Sequence, residues 1–168
     1  MERTILKART QTLTRTEAPT AVVTCEALDF ETTAAPEFID ITDEVTRILD
    51  ASLVQAGQVT VFSQHTTAAI KINENEPLLL RDLARLLSQF APNDGDYEHN
   101  DFTRRTVNMN EDECANGHAH CQHLFLGTSE TIPVVEGRLA MGTWQRVFLI
   151  ELDHPRARRV LVSVVGTT

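Results

Sequence analysis

Cysteine is scarce in this chain: three residues of 168, at Cys25, Cys114 and Cys121. The number is odd, and no pair shows the C-x-x-C spacing of a zinc knuckle, so a disulfide framework and a zinc finger are both excluded. A reducing, cytoplasmic setting is the expectation. No stretch approaches the roughly 20 apolar residues of a membrane span. The opening MERTILKARTQTLTRTEAPT shows neither the apolar core nor the cleavage pattern of a signal peptide. Positive charge is also short, with 15 Lys and Arg against 24 Asp and Glu, a net charge of −9. Nucleic acid and anionic membrane are therefore not the expected partners, since both want a basic face. A small anionic substrate stays compatible, because a cationic pocket can sit on an acidic protein. No internal repeat, no low-complexity tract and no G-x-x-x-x-G-K-[ST] phosphate loop is present.

What is present suits one globular domain spanning residues 1–168, with 42% apolar and 23% charged residues. Residues 3–14 and 20–25 are Thr- and Val-rich and read as strands. After the loop-like TTAAPEF, the spacing of Val45, Ile48, Leu49 and Leu53 predicts a helix, with Thr42 as N-cap and Gly57 as its stop. Residues 58–65 alternate as a strand that ends at His65, and residues 69–73 read as its partner. Pro77 opens a second helix whose apolar face carries Leu79, Leu83, Leu86, Leu87 and Phe90. Residues 91–117 form a long polar segment, of the kind that is either functional or disordered. Strand-like runs follow at 120–126, 130–135, 138–141, 146–152 and 159–165. Two helices amid eight or nine strands indicate an α+β fold, an antiparallel sandwich with helices packed on one side.

Six histidines are the main chemical signal, three of them within NGHAHCQHLFLG (residues 116–127). On a strand, His118 and His120 would share one face and His123 the other. His65 lies at a distant strand end and His99 in the long loop. Imidazoles drawn from His65, His99, His118 and His120 would make an open site for a divalent metal, zinc or magnesium, or would act without metal as acid and base. Asn73 and Asn75 are placed beside the His65 strand end to orient a substrate, while Asn75 or Glu76 would cap the second helix. For a phosphorylated substrate, Lys71 and the Arg156, Arg158, Arg159 cluster offer cations, and Thr128 and Ser129 offer hydroxyls. Trp144, the one tryptophan, either stacks on a heterocycle or anchors the core or an interface; Gln145 can bond a ring nitrogen or the neighbour of its own strand. Glu151 and Asp153 either complete a metal site or pair with the arginines.

Four stretches together carry a resemblance: Gln64–Pro77 (QHTTAAIKINENEP), Tyr97–Asp101, Asn116–His120 with Leu126–Ser129, and Gly137–Gln145 (GRLAMGTWQ) followed by Glu151–Arg156. The chain resembles the YjbQ-like family, also called the secondary thiamine-phosphate synthase family, over about residues 38–166. The resemblance implies a β-sandwich with added helices, a homotrimer, and an ability to join the pyrimidine and thiazole halves of thiamine phosphate. It places His65 and His120 in the family pattern as the catalytic pair, ahead of His118, and leaves His123 to the surface or to packing. It also places Arg156 in the Glu-x-Asp-x-Pro-Arg motif, where His154 stands in place of the family's usual glycine.

Overall fold

The computed structural model describes residues 19–168; the strand expected at 3–14 lies outside them. Eight strands and three α-helices are described: β1 (Ala21–Glu31), β2 (Glu37–Asp40), α1 (Thr42–Ser52), β3 (Ala56–Ser63), β4 (Ala68–Glu74), α2 (Pro77–Phe90), α3 (Gly117–Leu126), β5 (Ser129–Val135), β6 (Arg138–Leu139), β7 (Gln145–Glu151) and β8 (Ala157–Thr167). A single 3₁₀ turn, Glu98–Asn100, interrupts the long loop. The strands make two antiparallel sheets, β1-β8-β3-β5-β6 and β2-β7-β4. No described helix is long and apolar enough to cross a membrane.

Alternation explains the core. In β8, Val160, Val162 and Val164 point inward and meet Val59 and Val61 of β3. The small sheet answers with Val147 and Leu149 of β7 and Ala68 and Ile70 of β4, and α1 adds Val45, Ile48 and Leu49. β7 is buried on both faces, because Phe148 and Ile150 turn outward against Leu80 and Leu87 of α2 and Ala119 and Leu126 of α3. A strand covered on both sides must lose its polar alternation, and residues 147–150 read Val-Phe-Leu-Ile.

The helix ends differ in detail from the sequence expectation. Thr42 is the first helical residue and not the cap; the Asp40 carboxylate accepts from its N–H at 3.0 Å and its hydroxyl at 2.7 Å. Helix α1 stops at Leu53, which is left-handed (φ 60°). Gly57 lies inside β3, where a Cβ would meet the Val165 carbonyl oxygen at 2.1 Å. Its role is close strand approach, not helix termination. Glu76 caps α2, accepting from Leu78 and Leu79 N–H at 2.9 and 2.8 Å.

The expected strand at 120–126 is helix α3. Residues 117–126 contain no β-branched side chain, and the buried positions His118, Ala119 and Gln122 recur at helical spacing. Gln122 fixes the helix by donating to the Leu87 and Ala91 carbonyls at the end of α2, at 3.2 and 2.9 Å. Replacing Gly57 by alanine is expected to lower the melting temperature by about 3–10 °C, the cost of forcing a methyl into packed backbone. An unchanged melt would contradict this reading of the β3–β8 contact.

Candidate functional site

The site grows from the crossing between the two sheets. β3 ends at Ser63, whose hydroxyl donates to the Ala68 carbonyl at 2.8 Å, and residues 64–67 carry the chain into the small sheet. Beneath this turn lies a buried ion pair, Glu151 of β7 with Arg158 of β8, 0% and 3% exposed. Arg158 Nε donates to the carboxylate at 2.6 Å, and Nη2 donates to Thr67 Oγ1 at 3.0 Å. The carboxylate also accepts from the Thr32 hydroxyl and from the N–H groups of Leu152 and Asp153, each at 3.0 Å. A buried pair is tolerated when its remaining valences are met in this way.

Above the pair opens a polar cavity of about 500 Å³. Three imidazoles line it: His65 from the 64–67 turn, His99 from the 3₁₀ turn and His120 from α3. Three guanidiniums, Arg105, Arg156 and Arg158, line it as well. The Arg159 N–H donates to His65 Nε2 at 2.8 Å. A neutral imidazole has one lone pair, so this bond leaves Nδ1 as the protonated nitrogen, a donor. Burial, followed by the charge of Arg158, holds His65 below its ordinary pKa. His120 is lowered by burial and then by His99, whose ring meets it edge to face with centroids 4.6 Å apart. Arg105 pairs with Glu113 at 2.9 Å. Among the described residues, His99 Nε2 and Asn116 Oδ1 are buried polar atoms without a hydrogen-bond partner. Such atoms cost free energy unless something polar meets them, and Thr24 Oγ1, His118 Nδ1 and His123 Nε2 away from the cavity are in the same position.

Of the residues singled out from sequence, the structure gathers His65, His99, His120, Arg156 and Arg158. It does not gather the rest. His118 lies 200° around α3 from His120 by helical geometry and is buried near Pro36 and Asp153. His123, one turn on from His120, is half-buried and outside the cavity lining. Asn73 and Asn75 stand at the far end of β4, roughly 25 Å of extended chain from His65. There Asn73 accepts from the Glu74 N–H and Asn75 donates to Asp40, each at 2.9 Å. Trp144 and Gln145 share that remote end: Trp144 is 71% exposed, and Gln145 accepts from the Gly142 N–H at 2.7 Å. Thr128 and Ser129 serve β5 and do not line the cavity; the Thr128 carbonyl accepts from Ser63 N–H. Lys71 pairs with Glu130, and Arg159 with Asp29. Arg105 and Asn116 are the residues missed. Arg105 sat in an aperiodic loop, and its pairing with Glu113 is not visible in sequence spacing.

Of the four imidazoles from which an open three-imidazole metal site was drawn, the cavity gathers His65, His99 and His120. His118 faces elsewhere, and the His65 lone pair is engaged by backbone. Among the described residues, the three donors that converge within 4.8 Å are Cys114, Asp153 and His154, beside the cavity and not within it. The imidazoles are therefore read as hydrogen-bonding and proton-carrying groups. Glu151 pairs with Arg158, and Asp153 lies 3.5 Å from Arg156.

The lowered histidines set a pH dependence. Below the ordinary value of 6.5 the unfolded chain takes up protons that His65 and His120 resist in the fold. The unfolded state then binds more protons, so stability falls as pH drops through this window and is fully recovered above it. The lowered carboxylates Asp40 and Asp153 lose their contribution only below their ordinary 3.8. The melting temperature is expected to fall from about pH 7 to about pH 5.5, and less steeply in His65→Gln/His120→Gln. Parallel profiles would contradict the assignment.

This architecture is shared. Residues 26–167 match the family model described as UPF0047 protein YjbQ-like. A UPF0047 protein of Methanothermobacter thermautotrophicus is 41% identical over 84% of this chain and 91% of its own length. UPF0047 protein YugU of Bacillus subtilis is 32% identical over 84% of this chain and 98% of its own. The crystal structure of a YbjQ-like protein of unknown function from Sulfolobus solfataricus superposes with a TM-score of 0.79, at 34% identity over 88% of this chain and 99% of that one. The chain belongs to the YjbQ-like (UPF0047) family.

Proposed function

We propose that this protein is an enzyme acting on a phosphorylated heterocyclic metabolite in the cavity of His65, His99 and His120. One observation carries the reading: three imidazoles and three guanidiniums surround one space of about 500 Å³ on a chain of net charge −9. Such a concentration of donors suits phosphate oxygens, which arginine grips in bidentate fashion. Arg105 and Arg156, at the cavity wall, hold the phosphate groups. Arg158, fixed by Glu151, and His65, fixed by the Arg159 N–H, are preset donors that need no rearrangement as charge develops. His120, kept neutral by burial, carries the proton or hydrogen-bonds the leaving group.

Within this class, thiamine phosphate formation is the specific proposal. The thiazole nitrogen donates its lone pair to the pyrimidine methylene carbon as the carbon–oxygen bond breaks. Pyrophosphate departs with the bonding pair, and its charge is met by the guanidiniums. The groove edged by Leu86, Phe90 and Phe125, which are 54%, 54% and 66% exposed, supports the homotrimer that goes with this reading. A metabolite-binding protein without turnover would use the same arginine contacts, and a hydrolase the same cavity with water as nucleophile.

Purified protein given pyrimidine pyrophosphate and thiazole phosphate is expected to yield thiamine phosphate, with a fall of about 100-fold or more in His120→Ala. Arg156→Ala is expected to weaken inorganic pyrophosphate binding roughly 10- to 100-fold. Equal product from His120→Ala removes the catalytic assignment. Binding with no turnover selects the non-catalytic reading, and phosphate release without coupling selects the hydrolase.

A further inference from the structure

Beside the histidine cavity lies a second polar cavity of about 260 Å³, whose wall includes Cys114, Asn116, His154 and Arg156. We propose that Cys114, Asp153 and His154 form a site for a transition metal of the zinc type, with an open fourth position toward this cavity. The site uses none of the imidazoles of the catalytic reading above and shares Arg156 and Asn116 with its cavity wall.

Geometry carries the proposal. Cys114 Sγ lies 3.5 Å from His154 Nδ1 and 3.8 Å from Asp153 Oδ1, and the two latter atoms are 2.9 Å apart. Zinc–ligand bonds of roughly 2.0–2.3 Å in tetrahedral array require donor separations of about 3.3–3.6 Å. The three atoms thus need to shift by only a few tenths of an ångström. Cys114 comes from the long loop and the other two from the β7–β8 turn, so the fold, not local sequence, brings them together. The Asp153 side chain is 2% exposed. It is oriented by Asn116 Nδ2 at 3.2 Å, the kind of outer contact that holds a metal-bound carboxylate. Asn116 is itself 8% exposed, and its Oδ1 has no hydrogen-bond partner among the described residues. Thiolate, imidazole and carboxylate form a borderline-soft donor set that favours zinc over magnesium, which prefers oxygen alone.

Arg156 opposes the cation and sets the linkage. Without metal its Nε donates to His154 Nε2 at 3.1 Å while His154 Nδ1 donates to Asp153. Metal binding at Nδ1 takes that lone pair, so the ring proton resides on Nε2, and the Cys114 thiol releases its proton to solvent. Nε2 then ceases to accept from Arg156. The arginine, whose side chain is 37% exposed, turns toward the neighbouring cavity that it already lines. The two anions, thiolate and carboxylate, balance the charge of the divalent ion.

The test uses Co²⁺ alone on the full chain in a Cys25→Ser/Cys121→Ser background, which leaves Cys114 as the one thiol. One cobalt per chain is expected, with the near-ultraviolet charge-transfer band of a cobalt–thiolate bond and the visible bands of four-coordination. Both signals are expected to vanish in Cys114→Ser and in His154→Gly, a change in a half-exposed turn, and to persist in His99→Ala. Circular dichroism confirms that each variant is folded. Cobalt bound without the thiolate band, or a band that survives His154→Gly, overturns the proposal.

Discussion

The buried pair between Glu151 and Arg158 is the contact on which the site depends. It joins the last residue of β7 to the second residue of β8 and draws in Thr67 from the 64–67 turn and Thr32 from the segment after β1. Removing one partner would strand a charge inside the sandwich, at a cost of about 3–5 kcal/mol. The pair also sets position. His65 projects from the turn that Thr67 anchors, and the stretch carrying Asp153, His154 and Arg156 begins directly after Glu151. A hydrophobic pair in the same place would fill the space, but it would not align two chain crossings through directional bonds.

Electrostatics follow the same plan. Each cavity arginine has its own carboxylate: Arg158 with Glu151, Arg105 with Glu113, Arg156 with Asp153. The guanidiniums are therefore held apart while lining the cavity. The imidazoles of His65 and His120 are kept from charging by burial, so they add donors and acceptors and not further repulsion. The recess is therefore rich in N–H donors while its three guanidinium charges are matched by three carboxylates.

Much of the sandwich was legible from residue alternation. The Val-rich run at 159–165 marked β8 as a strand, and α2 announced itself by Pro77 and its leucines. Helix α3 was not legible as a helix, because it mixes small, polar and aromatic residues with almost no amphipathic contrast. Its burial is decided by contact with α2 through Gln122, a tertiary bond that leaves no local mark. Misreading it as a strand put His118 on the wrong face. His65 and His120 line one cavity, His65 from the turn after β3 and His120 from the first turn of α3. Asn73 and Asn75 failed for a simple geometric reason: β4 runs away from His65, and seven extended residues carry it across the molecule.

The central claim is that His65, His99 and His120 face one ligand across a floor made by the Glu151–Arg158 pair. Imidazole NMR during titration with inorganic pyrophosphate tests it most directly. The account predicts that resonances of these three rings move together and saturate at one pyrophosphate per chain, with His118 and His123 unmoved and His65 in the Nδ1–H form throughout. Independent titration of the three rings, or a His65 ring protonated on Nε2 alone, would contradict it.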